Sequence, residues 1–415
     1  MIIHKKDRKQ LTSNFLSLST FQIINSLIPL ITLPYLLRIL GVNYFGLIVF
    51  AQSFIMFFNI ITDYGFNFSA TREIAKNINN KEKVSLIFST VMFIKLILFF
   101  LSFLLLSIII FSFNHFRSDW LIYYLTFGIV FGQTLFPIWF FQGIEKMRHI
   151  AVLNFVAKTF FLFAIFLFIH KESDYIYVPL INSAGFIISG ILGLLLAFRT
   201  YKIKILIPDF TYTKHLFYES TYLFISSLST SLFSTTTNFL LGIMTNNHIL
   251  GIYAAMEKII LGVKGLFGPL LQTLFPWVSK KENKEIHRLI KRMIVYAFII
   301  GSSAFMFLFV FSEDIINILY SSSDIMSYIV VFKILTLALI LAPLGLLFTS
   351  LYLTAIKAYK IKMQILIVCG FLNVLTVIVL TYYYSIYGTA FSVLLTEFIL
   401  LFFGILYFIK LDKRI

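Results

Sequence analysis

Long apolar segments recur along the whole chain and are separated by short polar connections. An α-helix needs about 20 mainly apolar residues to cross the hydrocarbon core of a bilayer, and most of these segments reach that length. They lack the period-two alternation of a transmembrane β-barrel. We therefore predict an all-α membrane protein with about twelve transmembrane helices, at 13–37, 44–66, 85–111, 120–142, 150–169, 177–198, 220–243, 251–276, 293–311, 326–353, 363–384 and 388–408.

The composition supports lipid as the solvent of this protein. The 415 residues are 60% hydrophobic and 13% charged, which is more apolar than soluble domains are. A net charge of +16 raises the question of nucleic-acid binding, but no soluble domain is present to carry a basic face. The single cysteine, Cys369, lies in an apolar segment and is expected to be a small helix residue, without a disulfide or a thiol metal cluster.

The basic residues show how the helices are oriented. Connections alternate between basic and nearly uncharged, and the basic set holds 26 of the 34 Lys and Arg residues. The opposite set holds three, namely Arg38, Arg117 and Lys171. Because cytoplasmic loops carry the excess of Lys and Arg, this asymmetry predicts a multi-pass membrane protein with both termini in the cytoplasm.

The longest basic connection, 199–219, falls at the middle of the chain. It predicts two six-helix lobes, 1–198 and 220–415, joined by this cytoplasmic linker. A weak repeat supports the division, because 41–51 is similar to 246–256 and 141–148 is similar to 353–360, in the same direction. Parallel halves related by an axis along the membrane normal are typical of transporters, although chance similarity between apolar helices is the alternative.

Five lysines fall inside the predicted helices, where an uncompensated charge near the bilayer centre costs a few kcal/mol. Lys258 and Lys333 lie about two helical turns from the outer ends and can extend their ammonium groups toward the interface, whereas the other three lie deeper. Either a cationic cavity or structural ion pairing explains them. The five are Lys95, Lys158, Lys258, Lys264 and Lys333.

Acidic residues are fewer in the same segments. Glu257 and Glu397 are intramembrane, and Asp63 lies near the inner end of the second helix. We expect these three carboxylates to couple transport to H⁺ or Na⁺. Because lysines outnumber acids, we expect a cavity that attracts anions, with a lipid phosphate as the substrate and Lys95, Lys158 and Lys264 as its main ligands.

Enzyme signatures are absent from the sequence. There is no Gly-rich phosphate loop ending in Gly-Lys-Ser/Thr, and no pair of histidines four residues apart for a metal. We predict no catalytic residues, no metal and no bound cofactor. The histidines fall in predicted loops or helix ends and are interpreted as solvated; they are His4, His115, His149, His170, His215, His248 and His287.

Three segments of the first half, taken together, resemble the polysaccharide (O-antigen) flippases of the multidrug/oligosaccharidyl-lipid/polysaccharide (MOP) exporter superfamily. They are Leu-Pro-Tyr-Leu-Leu-Arg-Ile-Leu-Gly-Val-Asn-Tyr-Phe-Gly at 33–46, Asp-Tyr-Gly-Phe at 63–66 with Arg-Glu-Ile-Ala at 72–75, and Phe-Pro-Ile-Trp-Phe-Phe-Gln-Gly-Ile-Glu-Lys-Met at 136–147. The second half is similar in topology and length only. The charged motif residues Arg38, Asp63, Arg72 and Glu145 are candidates for a gate.

The resemblance implies two lobes with the fold of multidrug and toxin extrusion (MATE) transporters around a cationic central cavity. It implies a flippase of the bacterial inner membrane that moves undecaprenyl-diphosphate-linked oligosaccharide to the periplasmic leaflet by alternating access. A polysaccharide polymerase and a chain-length regulator are the expected protein partners, and nucleic acid is not expected.

Three other functions compete with this interpretation. A drug or cation exporter of the same superfamily needs buried carboxylates rather than lysines. A lipid-II flippase obeys the same physics and differs only in its substrate. A polymerase or acyltransferase is less favoured because the outer loops are short and no buried histidine is predicted.

Overall fold

The computed structural model describes residues 5–279 and 281–412, and within them every regular element is a helix. A short 3₁₀ helix, Glu172–Ile176, precedes α8, and a π-helical turn, Leu347–Tyr352, follows α16. The α-helices are α1 (Lys5–Asp63), α2 (Phe66–Lys76), α3 (Lys81–Ser112), α4 (Asn114–Arg117), α5 (Trp120–Leu135), α6 (Ile138–Gly143), α7 (Met147–Phe168), α8 (Tyr177–Arg199), α9 (Phe210–Ser234), α10 (Thr236–Met244), α11 (Asn247–Gly265), α12 (Phe267–Val278), α13 (Asn283–Val310), α14 (Ser312–Tyr320), α15 (Ser323–Met326), α16 (Ile329–Leu346), α17 (Leu353–Ala355) and α18 (Tyr359–Asp412).

Eight helical segments of the described chain are long and apolar enough to cross a membrane. The predicted all-α membrane class is therefore confirmed, whereas the number twelve stays a prediction. Two of the eight are interrupted where the sequence predicts a connection. Gly41 (φ 72°) breaks α1, and Ser385 (φ 50°) breaks α18.

The chain turns back on itself at Ser385. The hydroxyl oxygens of Thr381 and Thr389 are 2.7 Å apart. A Cβ atom on Gly388 would lie 1.9 Å from the Leu380 carbonyl oxygen, so the two helical stretches of α18 touch through their backbones. Only glycine permits this contact, because any side chain would overlap the opposite backbone.

Side-chain caps and one proline set other helix boundaries. The side chains of Asn80 and Asn246 accept hydrogen bonds from backbone N–H groups at the starts of α3 and α11, at 3.0 and 2.9 Å. Pro343 lies in α16, just before the π-helical turn. Since proline lacks an N–H group, it cannot bond to the Leu339 carbonyl, and helical regularity is lost in the next turn.

The chain divides into two compact units. One contains Met1–Gly46 and Leu232–Ile415, and the other contains Leu47–Ser231. We call them the terminal unit and the central unit. The terminal unit combines the first part of α1 with the second half of the sequence. The predicted lobes, 1–198 and 220–415, follow sequence order instead, and they stay a prediction.

The aromatic segment 136–147 lies in the core of the central unit. Trp139, Phe140 and Phe141 are completely buried, and they pack with Phe88 of α3 and Phe66 of α2. Because these side chains are buried among other apolar residues, the aromatic part of this motif stabilises the fold rather than contacting a ligand.

The predicted linker, 199–219, belongs to the central unit. Its extended part lies along α3, where the Lys204 and Leu206 N–H groups donate to the hydroxyls of Ser85 and Ser89 at 3.2 and 2.9 Å. Its second part is already helical, because α9 begins at Phe210. The linker is therefore held on α3 by hydrogen bonds from its backbone N–H groups to two serine hydroxyls.

The core of the terminal unit corrects one prediction. His287 is 3% exposed, and its ring stacks on Phe408 with the ring centroids 3.8 Å apart. Its Nδ1 lies 3.3 Å from the Tyr352 hydroxyl. The prediction that every histidine is solvated is wrong here, because α13 begins at Asn283 and places His287 on its packed face. Cys369 is buried in the same core, as predicted.

The two copies of the first sequence repeat contact each other in the terminal unit. A Cβ atom on Gly46 would lie 1.7 Å from the Asn247 carbonyl oxygen, and one on Gly251 would lie 2.2 Å from the Val42 carbonyl oxygen. The glycines therefore let α1 and α11 cross with their backbones in contact, as small residues do at membrane helix interfaces.

Candidate functional site

The first candidate element is a buried ion pair in the central unit. Lys95 of α3 is 1% exposed, and its ammonium lies 2.8 Å from Asp63 Oδ1 at the end of α1. It also donates to the Gln133 carbonyl oxygen at 3.2 Å. The other Asp63 oxygen accepts from the Asn67 amide at 3.4 Å. Thus two residues that the sequence singled out separately form one pair.

A second ion pair lies in the terminal unit. The Lys264 ammonium of α11 is 2.7 Å from Glu397 Oε1 of α18, and both side chains are largely buried. The acid in contact with Lys264 is therefore Glu397, whereas Glu257 lies seven residues before Lys264 on α11. Each unit therefore contains a largely buried lysine whose charge is balanced by a carboxylate from another helix.

The other three predicted lysines differ in their surroundings. Lys158 on α7 and Lys258 on α11 are partly buried, and neither has a carboxylate within 4 Å among the described residues. Lys333 of α16 pairs with Glu313 at 3.3 Å, and that pair is more exposed. Of the three lysines predicted to lie deep, Lys158 is thus the one without an ion pair in the described chain.

The sequence interpretation missed one buried polar residue, Asn373. Asn373 is 1% exposed. Its amide nitrogen donates to the Thr396 hydroxyl at 3.0 Å, and its amide oxygen accepts from the Thr237 hydroxyl at 3.4 Å. Glu257 accepts a hydrogen bond from the Asn238 amide at 2.7 Å. The isolated asparagine in the apolar segment 363–384 was the available signal for Asn373, because buried amides in membrane helices need partners.

The charged motif residues differ in their surroundings. Arg38 donates to the carbonyl oxygens of Ile318 and Leu319 at 2.9 and 3.3 Å, at the end of α14. Arg72 forms an ion pair with Glu219. Glu145 is exposed in the turn before α7, with φ at 60°. The gate function expected for Arg38, Arg72 and Glu145 stays a prediction.

Arg72 and Glu219 join α2 to α9 beside the partly buried Tyr212. Burial, followed by the charges of Glu73 and Glu219, raises the pKa of Tyr212 to about 12. Its hydroxyl therefore stays protonated at neutral pH. Ser69 and Ser220, whose hydroxyl oxygens are 2.7 Å apart, add a second polar link between these two helices.

The pairs determine what this arrangement can do chemically. Each lysine–carboxylate pair is neutral as a whole, so neither attracts an anion strongly while it is intact. A phosphate oxygen that reaches the ammonium can replace the carboxylate as its partner, since both are charged acceptors of similar geometry. The displaced carboxylate then requires a cation or a proton. Among the described residues no cluster of three or more His, Cys, Asp and Glu side chains could hold a metal ion.

Two curated proteins of similar length match nearly the whole chain, and a third matches part of it. A protein named "Putative O-antigen transporter" from Escherichia coli (strain K12) is 27% identical over 397 residues, covering 94% of this chain and 95% of the relative. A protein of the same name from Shigella dysenteriae is 25% identical and covers 91% and 95%. "Probable low-salt glycan biosynthesis flippase Agl15" from Haloferax volcanii is 24% identical and covers 72% and 63%.

Solved structures show the class of fold. An inward-facing MATE family transporter of the MOP superfamily superposes with a TM-score of 0.76 at 14% identity, covering 93% of this chain and 96% of that chain. A MOP superfamily transporter from Pyrococcus furiosus superposes with a TM-score of 0.62 at 15% identity, covering 96% and 95%. The fold is therefore that of the MOP exporter superfamily, as the sequence motifs predicted.

Residues 11–282 match the family model described as "Polysaccharide biosynthesis protein". Since this match spans more than half of the chain, the protein belongs to that family. The resemblance to MOP-type polysaccharide flippases is confirmed, and so is the prediction that the chain is a membrane transporter rather than an enzyme.

Proposed function

We propose that this protein is a flippase that moves undecaprenyl-diphosphate-linked oligosaccharide from the cytoplasmic to the periplasmic leaflet by alternating access. The observation that carries the proposal is the match of nearly the whole chain to relatives named as O-antigen transporters. Membership of a polysaccharide biosynthesis family agrees with it. The substrate class is a lipid-linked oligosaccharide. Its diphosphate is the anion that the buried lysines would bind.

In our proposal, substrate binding exchanges partners at the buried pairs. A phosphate oxygen takes the Lys95 or Lys264 ammonium, and Asp63 or Glu397 is left without its counterion. A buried unpaired carboxylate is costly, so uptake of a proton or Na⁺ accompanies the exchange. Lys158 needs no exchange, since it has no carboxylate to displace in the described chain. This assigns Asp63 and Glu397 to ion coupling, with Glu257 as a third candidate.

The remaining features are part of the same proposal. Both termini lie in the cytoplasm, so lipid-linked units enter from the leaflet where they are made. A polysaccharide polymerase and a chain-length regulator act on the units after export. Lys258 and Lys333 lie toward the exit.

Complementation of a strain deleted for this gene tests the proposal. We expect the combined substitution of Lys95, Lys158 and Lys264 by alanine to abolish surface polysaccharide and to trap lipid-linked units in the inner leaflet. Inner-leaflet accumulation separates a flippase from a polymerase, whose loss leaves single units exported. Expression and membrane insertion are checked by immunoblotting of the membrane fraction.

A variant with the same change in charge serves as the control. Lys81, Lys146 and Lys284 are exposed, and their combined substitution by alanine is expected to preserve the polysaccharide. Normal surface polysaccharide from the Lys95, Lys158 and Lys264 variant would refute their assignment to the substrate. Single exported units in the deletion strain would refute flippase function altogether.

A further inference from the structure

An apolar groove lies among three helices of the terminal unit. It has a volume of about 240 Å³ and is formed by α12, α13 and α16 with the following π-helical turn. Apart from the Tyr296 hydroxyl, its lining side chains carry no polar group. The lining residues are Phe267, Leu270, Leu271, Leu274, Met293, Tyr296, Ala297, Ile300, Pro343 and Leu347.

A polar pocket adjoins this groove. It has a volume of about 310 Å³, and Lys362, Thr354 and Ser350 contribute its polar side chains. Leu271 lines both cavities, and the consecutive residues Leu346 and Leu347 line one each. The two cavities are therefore neighbouring parts of one surface, with an apolar part and a cationic, hydroxyl-bearing part.

Lys362 differs from the lysines of the buried pairs. Its ammonium lies 3.2 Å from the Thr354 hydroxyl oxygen, and in the described part of the chain it has no carboxylate within 4 Å. It is the fourth residue of α18, where unpaired N–H groups and the helix dipole also favour an anion. An ammonium, two hydroxyls and a helix start are together the donors that a phosphate group accepts from.

The shape of the site limits the kind of lipid. The apolar groove adjoins the cationic pocket, an arrangement that fits an amphiphile with an anionic head group and an apolar tail. With a volume of about 240 Å³, the groove takes only the start of a long tail. The lysine lies in the basic connection 354–362, which our proposed orientation places at the cytoplasmic leaflet.

We infer that the polar pocket and the groove together bind the phosphate and the first isoprenoid units of a polyprenyl diphosphate carrier. The inference rests on the proposed function and adds to it a binding site for the lipid part of the substrate. Lys362 would contact the phosphate, and the α12, α13 and α16 side chains would hold the tail.

Binding of farnesyl diphosphate to the purified full-length protein in detergent tests this site. We expect Lys362→Gln to weaken binding by about tenfold or more, because a charge-assisted contact is lost. We expect Ala297→Leu to weaken it by a similar factor, because the larger side chain narrows the groove. Lys360→Gln, on an exposed neighbour, and Ala304→Leu, two turns further along α13, are the matched controls and should bind normally.

Competition identifies the ligand class. Farnesol lacks the phosphate and inorganic diphosphate lacks the tail, so each should displace farnesyl diphosphate much less well than unlabelled farnesyl diphosphate does. Unchanged affinity in both Lys362→Gln and Ala297→Leu would overturn the inference. Equal displacement by phosphatidylglycerol would also overturn it, since the site would then bind membrane phospholipid.

The result can be separated from failure of the proposed function. If the wild-type protein restores surface polysaccharide but farnesyl diphosphate binds equally well to the Lys362 and Ala297 variants, only the carrier site is wrong. If binding depends on both residues but the deletion strain exports its units, the flippase proposal is wrong and the lipid site stands.

Discussion

Asp63 and Lys95 carry opposite charges that are balanced only while both are present. Lys95→Gln leaves the Asp63 carboxylate without its ammonium, and we expect a loss near the low end of the about 3–5 kcal/mol that breaking a buried pair costs. The low end applies because Asp63 keeps 26% of its side chain exposed. Thermal unfolding of the purified protein in detergent measures this loss.

The double variant Asp63→Asn with Lys95→Gln separates stability from transport. Since both charges are removed, we expect unfolding to return close to the wild-type temperature while surface polysaccharide in the complementation assay stays low. A double variant that recovers both stability and transport would show that the pair is purely structural.

Lys158 gives a cleaner test of substrate binding than the paired lysines. In the described chain it has no ion-pair partner, so Lys158→Gln exposes no opposite charge and should leave thermal stability unchanged or slightly raised. We expect export of lipid-linked units to fall about tenfold, as for the loss of one charge-assisted contact to the diphosphate. Lys146→Gln, an exposed lysine just before α7, is the control and should export normally. Unimpaired export by Lys158→Gln would remove Lys158 from the site.

The sequence predicted the members of the two pairs but not the pairing. A lone lysine or acid in an apolar segment is visible without a structure, because its burial is unfavourable. Which acid reaches which lysine depends on helix packing, and Lys264 and Glu397 are 133 residues apart. For the same reason the sequence did not show that Asn373 lies between Thr396 and Thr237.

At the scale of helices, the Gly46 and Gly251 crossing makes a distinct prediction. Alanine favours helices over glycine by about 1 kcal/mol, so either substitution would stabilise an isolated helix. Here the added Cβ atom overlaps a backbone carbonyl, and relief requires α1 and α11 to separate. We expect Gly46→Ala and Gly251→Ala each to destabilise the protein by about 1–3 kcal/mol, the usual cost of overpacking.

Gly268→Ala is the matched control for this crossing, because nothing lies within 4 Å of a Cβ atom at Gly268. It should keep or slightly raise the unfolding temperature in the same detergent. If Gly46→Ala and Gly251→Ala unfold at the wild-type temperature too, the two helices do not depend on backbone contact.

Helix positions were more predictable than helix interruptions. Apolar length located the long helices, and the predicted connections near Gly41 and Ser385 coincide with the breaks in α1 and α18. The separation of α11 from α12 was not predicted, since the one residue between them, Leu266, is itself apolar. The buried position of His287 was also missed, because a basic segment was interpreted as a solvated loop although it is the first turn of α13.

For the molecule as a whole, the distribution of Lys and Arg makes a prediction that the fold alone does not. Both ends of a helical bundle are made of similar helices, so the fold leaves two orientations in the membrane open. The connections on one side hold 26 Lys and Arg residues and those on the other side hold three, which favours a single orientation. Ser173 lies in a predicted outer connection and Asn79 in a predicted inner one, and both are exposed. Each can carry a unique cysteine once the buried Cys369 is replaced by alanine.

Labelling of these cysteines by a membrane-impermeant maleimide in intact spheroplasts then shows which side of the membrane each one faces. We expect Ser173→Cys to be labelled directly and Asn79→Cys to be labelled only after the membrane is permeabilised. Cys369→Ala without a new cysteine gives the background, and restored surface polysaccharide shows that the labelled proteins are folded. Labelling of Asn79→Cys in intact spheroplasts would place the basic connections, and with them Lys362 of the inferred carrier site, at the periplasmic leaflet, where lipid-linked units could not enter from the side of their synthesis.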